Sequence, residues 1–292
     1  MEPVELAPFA ASLVMQYCDS RSDSDERLFR RELAEFCRRL IAARPGMVSL
    51  WNLANDVMRA ADKPGTIYVA GKPQAATVPQ AASNAAHRFL AFLSHHARRI
   101  ANETLPYIHS GLLFLTHSYS YTVLAALLRA HEAGKRFGVV CTESRPHFEG
   151  VDLARRLAQE GIEVEVIVDA AAAVFIHGLY TLVIGADAVT AEGVANRIGT
   201  YGMVLAARSL RVPVYCLVGT EKFLPCGAEA PVREWDPEEL VPTESRLHGF
   251  NLPLDQTPLE LISKFFTEDG PFTAADVRSQ LLSNPLHPSL AD

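Results

Sequence analysis

Between Leu113 and Phe223 four apolar runs each end in polar residues: Thr116-His117-Ser118, Thr142-Glu143-Ser144-Arg145, Asp169, and Gly185-Ala186-Asp187. These residue types suit phosphate recognition and proton transfer. The guanidinium groups of Arg145 and Arg197 are planar donor forks that match a phosphate. Asp187 and Glu143 are carboxylates placed to act as acid or base, Asp187 just beyond the dry run Val183-Ile184. Helix starts after Ser118, Asp169 and Gly199 would offer backbone amides to the same anion. A phosphorylated small molecule fits this set. Each residue also has an ordinary reading: Ser118, Ser120 and Asp169 are good helix N-caps, and Thr142 and Ser144 are common turn formers.

Such residues act together only if their elements share an edge. Runs at Leu112-Thr116, Phe137-Thr142, Val164-Asp169, Leu182-Ala186 and Val212-Val218 alternate with helical stretches at Tyr121-Ala133, Val151-Gln159, Ala170-His177 and Thr200-Ser209. That alternation predicts βαβ units on a mainly parallel sheet, with one ligand site outside the carboxyl ends of its strands. Gly134, Gly150 and Gly161 fall where helices end or begin.

Before Tyr107 the period is different. Asp25 to Ala43 and Ala81 to Asn102 carry apolar residues at helical spacing, for example Leu28, Leu33, Phe36 and Leu40, and Trp51 to Ala61 reads as a shorter helix. The chain is therefore expected to form a helical N-terminal domain over residues 1–108 and an α/β domain over 109–292. Thr257 to Leu282 returns to helical spacing, and Pro225 to Leu252 reads as a surface excursion.

The chain has 292 residues, of which 49% are apolar, enough for two cores. A net charge of -7 argues against a general nucleic-acid surface. The five cysteines, at 18, 37, 141, 216 and 226, lack metal-ligand spacing and fit reduced thiols. No apolar run is long enough for a membrane span, and the acidic start does not resemble a leader, so a cytoplasmic protein without membrane association is expected. Neither the dinucleotide fingerprint nor the phosphate-binding P-loop is present, and no bound cofactor or metal is expected. His95 and His96 are neighbours on a helix and point to different sides. Ser118, His117 and Asp187 are the types of a hydrolase triad, but no GxSxG elbow accompanies them.

Three segments, in order, resemble a known family: Thr142-Glu143-Ser144-Arg145-Pro146 with Glu149-Gly150, then Gly185-Ala186-Asp187, then Asn196-Arg197-Ile198-Gly199-Thr200-Tyr201. They are similar to the superfamily that joins the alpha, beta and delta subunits of translation initiation factor 2B with the aldose–ketose isomerases of methylthioribose 1-phosphate and ribose 1,5-bisphosphate. The similarity continues through Glu221-Lys222-Phe223 to Phe266-Thr267-Glu268-Asp269-Gly270, and more faintly to Arg44-Pro45-Gly46-Met47-Val48.

The resemblance implies a helical domain on a Rossmann-like domain, a homodimer, and a sugar phosphate bound between the two domains. It implies that Arg44, Thr142, Glu143, Arg145, Asn196 and Arg197 hold phosphate and hydroxyls, with Asp187 against C1 or C2. In the isomerases a cysteine in a Leu-Thr-His-Cys-Asn segment shares the proton transfer with that aspartate. This chain carries Leu115-Thr116-His117-Ser118-Tyr119-Ser120, as the initiation-factor alpha subunit does in lacking the thiol. A thiol titrates near ~8.5 and is readily lowered, whereas an aliphatic hydroxyl stays protonated. Cys141, at the end of the neighbouring strand, is the one thiol on the same edge. The expectation is an initiation-factor-2B-alpha-like protein that binds a phosphorylated sugar or nucleotide, with a translation-factor partner in its regulatory form. The alternative is an aldose–ketose isomerase in which Asp187 moves the proton and Ser118 or Cys141 holds the oxygen.

Overall fold

A computed structural model describes residues 3–21, 25–69, 72–230, 234–242, 244 and 246–291. The chain forms two compact units, one of residues 1–95, 223–231 and 280–292, the other of residues 96–222 and 232–279.

The first unit is helical: α1 (Pro3–Asp19), α2 (Glu26–Ala43), α3 (Val48–Asp62), the hairpin β1 (Thr66–Val69) and β2 (Lys72–Ala75), and the larger part of α4 (Val78–Thr104). Asp25 starts α2 by accepting from the backbone N–H groups of Arg27 and Leu28, both at 3.0 Å. The buried stripe of α2 is Phe29, Leu33, Cys37 and Ile41, at four-residue spacing. Leu28 stands outside it, exposed, while Phe36 and Leu40 pack at its margin. The tail of the chain joins this core, where Asn55 donates to Asn284 and accepts from the backbone of His287.

The second unit is the α/β layer. Its parallel strands are β3 (Leu113–Thr116), β4 (Gly138–Thr142), β5 (Glu163–Ile167) and β6 (Thr181–Ile184). The short β7 (Ala188–Val189) and β8 (Val194–Arg197) follow, then β9 (Val214–Leu217), β10 (Leu254–Thr257), β11 (Lys264–Thr267) and β12 (Gly270–Phe272). The helices are α5 (Tyr121–Glu132), α6 (Glu149–Gln159), α7 (Ala172–Phe175), α8 (Thr200–Ser209) and α9 (Ala274–Ser283), whose last residues belong with the first unit. The main sheet has seven strands in the order β12-β11-β9-β6-β3-β4-β5, parallel except for β11 with β12. A three-stranded antiparallel sheet, β10-β8-β7, stands beside it.

The alternation expected from Leu112 to Val218 is thus a mostly parallel sheet. Gly134 and Gly161 take the left-handed backbone that ends α5 and α6. Two stretches differ from expectation. Ala170 to His177 yields only a short 3-10 turn and the four residues of α7. Of Thr257 to Leu282, expected to be helical, only α9 is an α-helix; Thr257 ends β10, and a 3-10 turn, β11 and β12 follow it. Phe265 and Phe266 are adjacent and both fully buried, so each faces a different apolar layer of the sheet, a demand that adjacent positions of a one-faced helix do not satisfy.

Candidate functional site

At the carboxyl edge of the sheet three chain segments are pinned by one histidine. His117 follows β3 and is 1% exposed. Its Nε2 lies 2.9 Å from the carbonyl oxygen of Ile198, and a carbonyl only accepts, so Nε2 carries the proton. Nδ1 then accepts from the Thr142 hydroxyl at 2.6 Å, with Ser144 Oγ at 3.2 Å. The ends of β3 and β4 and the turn after β8 are held together in this way. Burial lowers the His117 pKa, against the opposing pull of Asp169 and Glu149.

Ser144 relays the arrangement. Its hydroxyl accepts from the Ser118 backbone N–H at 2.8 Å, while its own backbone N–H donates to Asp169 at 2.7 Å. The N–H of Arg145 donates to the other Asp169 oxygen at 2.8 Å. Ser118 and Ser144 both adopt left-handed backbone, with φ of 66° and 61°. The amides of this turn are therefore satisfied by the protein's own carboxylate.

The hydroxyl and charged groups at this edge form a connected row. Ser118 donates to Glu149 Oε2 at 2.6 Å, and Arg197 grips the same carboxylate through two bonds of 2.8 Å. Another Arg197 nitrogen lies 3.9 Å from Asp187. Burial alone would raise the Glu149 pKa, but the bonds and charge of Arg197, with the Ser118 bond, hold it below the usual carboxylate range. Burial would likewise lower Arg197, yet Asp187 and Glu149 raise it further. Both groups of the pair stay charged.

The row exists because α6 starts hard against the end of β4. A methyl group on Gly150 would overlap the carbonyl oxygen of Thr142 and stand 2.8 Å from Ser144 Oγ. Glycine there lets Glu149 reach across to Ser118.

Of the residues expected at the site, Ser118, Arg197 and Asp187 lie together in this row. Thr142 is buried against His117, and Asn196 donates to Thr200 Oγ1 at 3.0 Å, so both brace the backbone of the edge. Glu143 donates its backbone N–H to Ile167. Arg145 is exposed, its guanidinium 4.9 Å from the Phe148 ring. Arg44 belongs to the first unit, where its backbone N–H donates to Ile41.

Two expectations need correction. The start of α8 offers little to an anion, because Asp255 already accepts from the N–H groups of Gly199 and Tyr201 at 2.8 and 3.1 Å. Cys141 is completely buried in the apolar core, and burial pushes its thiol up to about 12, so it supplies no ready thiolate. Glu149, at the centre of the row, is not among the residues expected at the site, although Glu149-Gly150 stands in a segment that carries the family resemblance. Its position before Gly150 at a helix start was a weak signal, since an acidic residue there is ordinary. Among the described residues no group of three or more His, Cys, Asp or Glu is placed to hold a metal ion. No helix among them is long and apolar enough to cross a membrane.

The neutral His117 makes stability depend on pH. Unfolded histidine titrates near 6.5 and the folded ring below it, so as pH falls below about 6.5 the unfolded state takes up the proton first. Stability is then fully present above pH 6.5 and declines below it. A denaturation series from pH 8 to 5 should show the parent losing more stability on acidification than His117→Gln; parallel curves would contradict a ring held neutral.

The chain and its fold are similar to those of known proteins. The ribose 1,5-bisphosphate isomerase of Archaeoglobus fulgidus is 34% identical over 272 residues, covering 91% of this chain and 83% of its own. A Pyrococcus horikoshii protein named as translation initiation factor eIF-2B subunit 2-like is 32% identical over 247 residues, covering 84% and 83%. The crystal structure of a translation initiation factor eIF-2B from Pyrococcus horikoshii OT3 superposes with a TM-score of 0.74 at 30% identity, covering 93% of this chain and 91% of that one. Residues 4–274 match the Initiation factor 2 subunit family, and the chain belongs to that family.

Proposed function

We propose that this protein binds a phosphorylated sugar at the carboxyl edge of its sheet and does not isomerise it by the thiol route. The observation that carries this reading is the Ser118 hydroxyl, whose proton is committed to Glu149 at 2.6 Å. A carboxylate held below its usual range by Arg197 is a poor base, so it neither ionises Ser118 nor frees that proton for a substrate oxygen. What Ser118 offers a ligand is lone pairs, which accept from a sugar hydroxyl. Arg197 supplies a donor beside Asp187, which faces C1 or C2, and Arg145 meets the phosphate. Ribose 1,5-bisphosphate is the first ligand to test, given the name of the Archaeoglobus relative. By resemblance to the family, the protein is taken to act as a cytoplasmic homodimer.

The isomerase reading draws on Asp187 and on that relative's name, and it requires a hydrogen-bond donor free to hold the substrate oxygen at Ser118 or Cys141. One experiment separates the two. Calorimetry and thermal shift with ribose 1,5-bisphosphate should show saturable binding, with a stabilisation of roughly 2.7 kcal/mol at about a hundred times the dissociation constant. No ketose product should form. Ser118→Cys should then gain turnover that Asp187→Asn removes. Turnover by the parent protein, abolished in Asp187→Asn, would establish the isomerase instead, and a flat binding panel would sink the sugar-phosphate site.

A further inference from the structure

The excursion between the two strands β9 and β10 carries an aromatic residue to the row described above. Trp235 has its ring 5.1 Å from the Arg197 guanidinium carbon and 4.2 Å from the ring of His147. This placement is held from several sides. The Trp235 backbone N–H donates to the Asn251 carbonyl at 3.0 Å, and the Asn251 amide, itself buried, donates to the Asp236 carbonyl and to Glu239 Oε2, each at 3.0 Å. Glu239 Oε2 also lies 3.1 Å from His147 Nε2. His147 sits in the turn between β4 and α6, two residues before Glu149. The excursion is thus fastened to the same turn that delivers Glu149, and its indole rests on the cation that Glu149 grips.

We propose that Trp235 is a positioning residue of the ligand site. The Glu149 carboxylate fixes the edge of the Arg197 guanidinium through two bonds, which leaves rotation of the group out of that plane unopposed. The indole face opposes it, since a cation over an aromatic ring is attracted to the ring's negative face. With both restraints the Arg197 donor nearest Asp187 is aimed where a ligand oxygen arrives. The cover is a sensor as well. A ligand that recruits Arg197 changes the charge beside the indole, and the chain has only two tryptophans, Trp51 and Trp235.

The inference rests on the sugar-phosphate reading and has its own signature. Trp51→Phe protein is titrated with ribose 1,5-bisphosphate while Trp235 emission and heat are followed together. Emission and heat should trace one saturation curve. Trp235→Ala and Trp235→Leu should weaken binding roughly tenfold, and Trp235→Phe should recover most of it, since an aromatic face is what the cation needs. Heat of binding with unchanged emission, or equal affinity in Trp235→Ala, overturns the role of Trp235 and leaves the site standing. No heat in the parent protein overturns the sugar-phosphate reading, and the role of Trp235 with it.

Discussion

Gly150→Ala is expected to destabilise the fold by at least about 3 kcal/mol, the upper end of what overpacking a filled site costs. The methyl group would overlap the Thr142 carbonyl oxygen, a backbone atom of a parallel strand paired on both sides, which cannot swing aside as a side chain does. Relief requires α6 to shift outward, and that shift withdraws Glu149 from Ser118 and Arg197. Stability and ligand affinity should therefore fall together. Gly202→Ala in α8 is the control, because nothing lies within 4 Å of its added methyl and alanine favours the helix. It should be neutral or stabilise by about 0.5 kcal/mol. Urea denaturation of the two variants checks the contrast; a Gly150→Ala loss below about 1 kcal/mol would show that α6 is not seated where described.

Glu149→Ala should abolish measurable sugar-phosphate binding and lower stability by about 1–3 kcal/mol. Both side chains of the pair are about a quarter exposed, so the loss is set below that of a fully buried pair. The larger effect is on the site. Without Glu149, Arg197 loses two of its bonds and is left facing Asp187, and the Ser118 hydroxyl loses its acceptor. A double variant, Glu149→Met with Arg197→Met, separates the two consequences. Removing both charges leaves no buried charge without its counter-ion, only the Ser118 hydroxyl without its acceptor and the more exposed Asp187, so stability should return part of the way towards the parent while binding stays lost. If Glu149→Ala binds ribose 1,5-bisphosphate as the parent does, the row from Ser118 to Asp187 is not the ligand site.

The sequence was legible wherever local pattern and burial asked for the same element. Val139, Val140 and Cys141 form a continuous apolar run because β4 is covered on both faces, and Thr142 marks its polar end. Gly134 and Gly161 stop their helices by a backbone angle that glycine adopts freely. Legibility failed where the third dimension overrode spacing. The segment holding Phe265 and Phe266 reads as helical until a neighbouring strand, Val214–Leu217, supplies its hydrogen bonds. Pro225 to Leu252 has no period of its own, and only its contacts with His147 and Arg197 bring Trp235 to the edge of the sheet.

The amino-acid sequence by itself determined the family, the mostly parallel α/β layer, and the residue types that stand at the ends of its strands. Tertiary structure alone decided which of those residues are already committed to one another. Ser118, Glu149 and Arg197 are separated by 31 and 48 residues along the chain, and Asp255 reaches back 56 residues to fill the start of α8. A hydrogen bond or an ion pair depends on a few ångströms of space, and distance along the chain does not specify it. An arginine, a serine and a carboxylate in one sequence are candidates for a ligand; folded, two of them hold the third, and that contact sets what remains for the ligand to meet.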